Sequence, residues 1–374
     1  MSRPKAIWEP SSGQRELLRA GLWEGERGLE AWRRWRLDAP DIDVLEEGAY
    51  RLLPLVYDNL GPLLAEDPDA GRLKGIYRRS WAANQVALTV GQQAIEALRG
   101  AAIEVLALKG GALLATAYKG VGARPMADLD LAVPVDRVEA AIEALSGAGF
   151  SAAVEDPARA LRQHHSTPFT NPEGHEIDLH RGALWRVGLD QAFWAAAVPA
   201  EVARADVLVL CPADQLLHVC IHGAAWNVVQ PIRWVADAHR VLAASAGELD
   251  WDRLVAMATR GRFTPPMTDA LAYLRSEIDA PVPAATIEEL GAVPVSRAER
   301  RAHEALALPP SSRRSAQMLW WFWERHRAQA ELEGTRSTPA GLIRYLQGFW
   351  GLDRPSQVPG HALRRVIRRK PEPH

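Results

Sequence analysis

Two aspartates alternate with leucines in RPMADLDLAV, Arg124 to Val133. Such alternation fits a strand, in which residues i and i+2 share one face. Asp128 and Asp130 then point one way, and Leu129 and Leu131 the other. One face is made for burial. The other carries two like charges, which raise each other's pKa and repel. A half-buried strand with such a face needs a cation against it, and the rest of the sequence has to supply one.

The segments around it read as a small α/β unit. IEVLAL, Ile103 to Leu108, is a short apolar run expected to be a buried strand, and it ends in Lys109-Gly110-Gly111. ALLATAYKG should follow as a helix. PVDRVEAAIEALSGAGF should be another. Asp136 and Glu139 would cap its start, Val138, Ala141, Ile142 and Leu145 would form its buried face, and Gly147 or Gly149 would end it. HHSTPFTN, the turn PEG and HEIDLHRG read as a two-stranded hairpin, with His164 and His165 on its first strand. The order helix, strand, helix, strand, helix, strand, strand predicts an α+β fold with a small mixed sheet.

Helices should flank this unit. We place an N-terminal helical region at 1–100, the α/β core at 101–198 and a C-terminal helical region at 199–374. Ser11 and Gln14 form a capping-box pattern, and Leu17, Leu18, Gly21 and Leu22 follow at helical spacing. Pro54 should kink or break AYRLLPLVYDNLGPLL. A long helix is expected from Arg78 to Arg99, with Val86, Val90, Ile95 and Leu98 on its apolar stripe. Further helices should follow Pro212 and Pro231, then DWDRLVAMATRG and SSRRSAQMLWWFWERHRAQAELE. The WWFW run of that last segment is expected between helices. In PIRWVADAHRVL, Arg233 and Asp237 are spaced for an intrahelical ion pair.

Composition narrows the function. The net charge of -2 gives no overall pull toward nucleic acid. No apolar run approaches the ~20 residues of a spanning helix, and the first residues lack a secretory h-region. A cytoplasmic protein is expected. Cys211 and Cys220 match no zinc spacing and suggest no disulfide framework. His218 and His222 share a helix face, without the surrounding residues of a zinc-protease motif.

The chemistry converges on the core. A strand running into Gly110-Gly111 and a helix start offers backbone N–H groups to an anion, typically phosphate. Lys109 and Arg124 add positive charge, although Lys109 also fits a solvated turn and Arg124 a structural pair with an aspartate. In EIDLH, Asp178 and His180 share the face opposite Ile177 and Leu179. Asp128, Asp130 and Asp178 can therefore meet beside a phosphate cradle. Three carboxylates suit a hard divalent cation, most plausibly Mg²⁺. Two such ions about 3.5–4 Å apart stabilise both oxygens of an in-line displacement.

The glycine pair, the DLD strand and the later strand aspartate resemble the nucleotidyltransferase superfamily of the DNA polymerase beta type. The sequence is more similar to a bacterial family of uncharacterised nucleotidyltransferases. That family shows an LKG turn, an R-P-M-x-D-hydrophobic-D strand and a downstream D-L-H. Here these are Leu108-Lys109-Gly110, Arg124 to Asp130, and Asp178-Leu179-His180. The similarity extends over most of residues 45 to 265. The superfamily's serine after the glycine is replaced by Gly111, and the long gap from Gly111 to Asp128 is shared with the closer family. The resemblance implies metal ligation and catalysis by Asp128, Asp130 and Asp178, with Asp178 also helping to deprotonate an acceptor. It implies triphosphate binding at Gly110 and Gly111, with Lys109, Arg124 and His180 as further nucleotide-binding candidates. The implied reaction moves a nucleoside monophosphate from an NTP to a hydroxyl or phosphate of a small molecule, peptide or protein, releasing pyrophosphate. A non-catalytic nucleotide-binding protein and a phosphotransferase are the alternatives.

Overall fold

Ser11 Oγ accepts from the Gln14 N–H at 3.1 Å, and the Ser11 N–H donates to Gln14 Oε1 at 2.7 Å. This capping box starts helix α1 (Ser12–Leu22), as its spacing predicts. The structure, a computed structural model, describes residues 8–38, 41–184, 187–223, 232–245, 247–307, 315–332 and 334–367. Helices α2 (Gly25–Asp38), α3 (Glu47–Tyr50), α4 (Leu53–Leu60) and α5 (Ala70–Gly100) complete the N-terminal part. Pro54 lies in the first turn of α4, so the chain breaks just ahead of it.

Helix α5 starts well before the expected Arg78. Its buried stripe is Ala87, Val90, Gly91, Ala94, Ile95 and Leu98, whereas Val86 is exposed. Small residues set this face. A Cβ at Gly91 would sit 2.2 Å from Leu129 Cδ2, so only glycine lets α5 lie this close to the acidic strand.

The core alternates β1 (Leu106–Leu108), α6 (Lys109–Thr116), β2 (Leu129–Ala132), α7 (Val138–Gly147), β3 (Ser151–Ala152), α8 (Pro157–His164), β4 (Ser166–Thr170), β5 (Glu176–His180), α9 (Asp190–Ala196), β6 (Val198–Val202) and β7 (Ala205–Val209). The seven strands form one sheet in the order β3-β4-β5-β2-β1-β7-β6. Strand β2 runs parallel to β5 and antiparallel to β1, and β1 runs parallel to β7. The sheet is therefore mixed and the fold α+β, as expected.

Several local expectations differ from what is observed. Asp136 lies in a 3₁₀ turn, and α7 begins after it with no side-chain cap. His164 ends α8, and His165 caps that helix with a φ of 60°, so neither lies on β4. The β6–β7 hairpin had no sequence signal. Its turn residues Ala203 and Arg204 both adopt positive φ, a conformation usually given to Asn-Gly.

Nine helices follow among the described residues: α10 (Pro212–Gly223), α11 (Arg233–Ala244), α12 (Trp251–Arg260), α13 (Thr264–Ile278), α14 (Ala284–Ala292), α15 (Arg297–Leu306), α16 (Ser315–Leu332), α17 (Pro339–Phe349) and α18 (Val358–Ile367). Pro231 and residues 368–374, the end of the basic tail, lie outside the described residues. No helix among them is long and apolar enough to cross a membrane. Within the WWFW run, Phe322 is buried against an aromatic cluster with Trp321, Phe349 and Trp350, while Trp320 is exposed.

The two sheet faces have different fates. Leu129, Leu131, Ile177, Leu179 and Val207 join α5 and α7 in one apolar layer. On the other face, Leu106, Leu108 and Ala132 join a larger core built from both ends of the chain. Leu17, Leu53, Leu217, Val235 and Leu271 all belong to it. The N-terminal helices are tied to the C-terminal ones by polar contacts too: Arg15 pairs with Glu277 at 2.7 Å, and Trp23 Nε1 donates to the Ile278 carbonyl at 2.9 Å. The flanking helices thus share a core over the sheet face that carries the carboxylates.

Candidate metal and nucleotide site

Register brings the site together. In the parallel β2–β5 pair Asp130 lies opposite Asp178, and Ala132 lies opposite His180. Asp178 and His180 share a face by the strand's alternation. His180 Nε2 is 3.1 Å from Asp130 Oδ1 and 3.1 Å from Asp178 Oδ2. One ligand atom from each of Asp130, Asp178 and His180 falls within a 4.8 Å group able to hold a metal ion. Asp128 does not belong to that group. It lies half-buried just ahead of β2, and burial and the charge of Asp130 raise its pKa against the pull of Lys109.

Lys109 is the cation the acidic strand requires. Leu108 pairs with Asp130 across β1 and β2, and α6 begins at the next residue. Lys109 there has a φ of 43°, in the left-handed region that costs a non-glycine residue ~1–3 kcal/mol. From this position its ammonium meets Asp130 Oδ1 at 2.5 Å. Burial opposes ionisation of Asp130, but Lys109 and His180 outweigh it and hold the carboxyl well below its ordinary pKa. Burial and Lys109 oppose the imidazolium of His180, yet its bonds to Asp130 and Asp178 raise its pKa. The two carboxylates are thus compensated by an ammonium on one side and an imidazole on the other.

The glycines have a packing role that the sequence reading did not assign. A Cβ at Gly111 would lie 2.2 Å from Leu129 Cδ1, and one at Gly110 would lie 2.6 Å from Met126 Sδ and 2.7 Å from Arg124 Nη1. They sit inside the first turn of α6, where they let the helix start press against β2.

Arg124 faces a different partner from the ones anticipated. It is buried and makes a two-pronged pair with Asp237 of α11, Nε to Oδ1 at 2.8 Å and Nη2 to Oδ2 at 2.9 Å. Tyr118 donates to the same Oδ1 at 2.7 Å. The expected Arg233–Asp237 pair does not form as a hydrogen bond: Arg233 Nη1 instead donates to the Pro125 carbonyl at 2.7 Å. Two arginines and an aspartate thereby fasten the segment before β2 to α11.

Asn84 is a positioning residue that sequence reasoning missed. It is fully buried on α5; its amide donates to the carbonyls of Val121 and Arg124, and its oxygen accepts from the Met126 N–H. The only signal was a polar residue on the apolar face of a helix. Replacing it by leucine leaves three backbone groups without partners, and we expect a loss of about 2–4 kcal/mol. Urea unfolding measures it, and a loss under ~0.5 kcal/mol would show that the loop holds itself.

The loop after β5 is held by a buried acid. Asp190 Oδ1 accepts from the Ala183 N–H at 3.1 Å, and burial pushes the Asp190 pKa up to about 7. In the unfolded chain it titrates near 4. Between these values the folded state holds the proton that the unfolded state has lost, so this acid makes stability fall as pH rises from about 4 to about 7. Asp190→Asn is expected to flatten that slope and to be the more stable form at pH 8. Equal slopes in denaturant titrations across this range would refute it.

His218 and His222 of α10 hold their rings 5.7 Å apart in a tilted arrangement, and both feel the charges of Lys109 and Asp130. Burial pushes His218 down to about 3, so it is neutral. His222 reaches the surface. Cys211 and Cys220 are unbridged.

The fold and the site define an α+β protein with a buried Asp-Asp-His group, able to hold a metal ion, beside a lysine at a helix start. The chain belongs to the family of uncharacterised nucleotidyltransferases, whose profile matches residues 49–276, more than half of its length. The matched stretch includes the whole sheet and the helices α10 to α12. No curated protein matches the chain.

Proposed function

We propose that the protein is a Mg²⁺-dependent nucleotidyltransferase that moves a nucleoside monophosphate from an NTP to a hydroxyl or phosphate of a small molecule, peptide or protein. The observation that carries this reading is the register of β2 and β5, which sets Asp130 beside Asp178 with Lys109 against the first. The donor set fits a divalent cation. Two carboxylates suit Mg²⁺, and the imidazole of His180 broadens the fit to Mn²⁺. A bound metal would polarise the transferred phosphoryl group and neutralise its developing charge. Asp130 and Asp178 would hold it, with Asp128 at the outer edge for a second ion.

The chain's own groups account for the rest. The first N–H groups of α6, at Gly110 and Gly111, would receive the phosphates of the nucleotide. Lys109 neutralises Asp130 without nucleotide, and its long stem lets the ammonium reach a phosphate oxygen instead. Asp178 is more open than Asp130 and would accept the acceptor's proton. Arg124 serves by fixing the DLD strand against α11 rather than by touching nucleotide. Most of the rate would come from positioning and fixed charge. An NTP substrate fits a cytoplasmic setting, and the balanced charge fits an acceptor other than long nucleic acid.

The test is unfolding with each NTP, with and without Mg²⁺. A nucleotide at ~100 times its Kd should stabilise by about 2.7 kcal/mol, and only with metal present. NTP labelled at the α- or the γ-phosphate then separates the reactions in an acceptor screen. Transfer of the α label supports nucleotidyl transfer. Transfer of the γ label would make the protein a phosphotransferase, and no metal-dependent stabilisation by any NTP would count against both.

A further inference from the structure

Helix α10 is apolar over most of its surface, but Gln215, His218 and His222 follow one another at i, i+3 and i+7 and share a face. That face lies against the candidate site. The Thr116 hydroxyl of α6 is 3.2 Å from Gln215 Oε1, and the His218 ring hydrogen-bonds to the Ala183 carbonyl, three residues past His180. The stripe thus runs from α6 to the segment after β5, and in the sheet β2, with Asp130, lies between β5 and the β1 strand that leads into α6. Lys109 acts on both rings more strongly than Asp130 or His180 does, which puts the pair on the lysine side of the carboxylates.

The two imidazoles differ in exposure. His218 is buried, and its Nε2 has no hydrogen-bond partner among the described residues. That orphaned atom costs stability which leucine at this position would not, so the pair is more than core packing. His222, one turn further on, is exposed, yet burial holds its pKa well below the ordinary value. A ring that water reaches while protein crowds it stands in the wall of a cleft. The His218 ring backs it at 5.7 Å, tilted by 33°. The helix end is fixed as well: a Cβ at Gly223 would lie 2.0 Å from Trp234 Cβ, so α10 presses on α11 beside His222. Both rings are uncharged. What His222 offers to the cleft is a flat, neutral, immobilised face.

We propose that His222 is the nucleoside contact of this site, its imidazole face stacking on the base of the bound NTP. The inference rests on the nucleotidyl-transfer reading, in which the triphosphate lies at the start of α6 beside Lys109. The nucleoside is joined to the α-phosphate, so it leaves the metal group close to that point. The α10 wall is on this side, whereas Asp178 and the acceptor lie toward β5. A neutral ring has no charge to give a phosphate. Every base has a π face, however, and histidine is among the side chains on which bases stack. A stack does not read base edges, so this contact should favour a nucleoside over none rather than one base over another.

The experiment is calorimetric titration of the full-length protein, with Mg²⁺ present, against tripolyphosphate and against analogues of the four NTPs whose α,β bridge cannot be cleaved. The analogues should bind more tightly than tripolyphosphate. His222→Ala should weaken the analogues by about fivefold to a hundredfold and leave tripolyphosphate unchanged. The retained tripolyphosphate binding shows that the variant is folded with its phosphate site intact. His222→Phe, which keeps a flat ring, should hold most of the affinity, and His222→Gln, which keeps only a polar edge, should not. Analogue binding unchanged in His222→Ala overturns the inference. So does an equal loss for tripolyphosphate, which would make His222 a phosphate contact, or full affinity in His222→Gln, which would make it a hydrogen-bonding one. Failure of the nucleotide reading looks different: neither tripolyphosphate nor any analogue binds the wild type, and the inference falls with it.

Discussion

Asp130→Asn is expected to lower nucleotidyl transfer by at least ~100- to 1,000-fold and to abolish metal-dependent NTP binding. The substitution keeps the shape of the side chain and removes only its charge. Asp130 is buried, meets the Lys109 ammonium at 2.5 Å and His180 at 3.1 Å, and stands opposite Asp178. Asp128, the nearest acid on the same strand face, lies outside the group of ligand atoms. Pyrophosphate release with the preferred NTP, and the NTP shift of the unfolding midpoint with and without metal, measure the two losses. Full activity in the variant would remove this aspartate from the chemistry. A pH effect accompanies it. The Asp130 pKa is held below its ordinary value, so the charge pair stabilises the fold above the normal aspartate range and that contribution is lost as pH falls. Asp130→Asn should lack this acid-side loss.

Asp237→Ala is expected to cost about 3–5 kcal/mol of stability, the range for removing one partner of a buried ion pair. It strands the Arg124 guanidinium in the interior and leaves the Tyr118 hydroxyl without its acceptor. Arg124 lies four residues before Asp128, so the damage should reach the DLD strand and reduce NTP binding as well. Arg124→Met combined with Asp237→Leu should recover much of the stability, since apolar side chains of similar size need no compensation. Urea unfolding of the single and double variants measures this. A single-variant loss below ~1 kcal/mol would show that the pair does not hold the loop to α11.

Much of the core was legible in the chain because its signals are local. Alternation in DLDLAV and EIDLH is a property of neighbouring residues, and it placed Asp130, Asp178 and His180 on strand faces before any register was known. The capping box at Ser11 and Gln14 is equally local. Val86 was misplaced because α5 is seated by Ala87, Gly91 and Ala94, and the small size of Gly91 matters only once Leu129 lies against it. The β6–β7 hairpin was silent because its left-handed turn is carried by Ala203 and Arg204. Arg124 shows the same limit at the site. Its charge suggested a phosphate, but Asp237 lies 113 positions away and no spacing rule connects them.

The sequence by itself determined that an acidic strand face, a lysine-glycine turn and a D-L-H strand must occur together in one α/β unit, because alternation and turn chemistry act within a few residues. Tertiary structure alone decided which cation met which acid. The parallel register of β2 and β5 joined Asp130 to Asp178 and His180, and the backbone at Lys109 turned its ammonium onto Asp130. Helix α11 claimed Arg124 for Asp237, and α16 met Arg181 through Gln329. Charges interact through space at a few ångströms whatever their separation along the chain, and that distance is set only when the helices from both ends pack over the sheet.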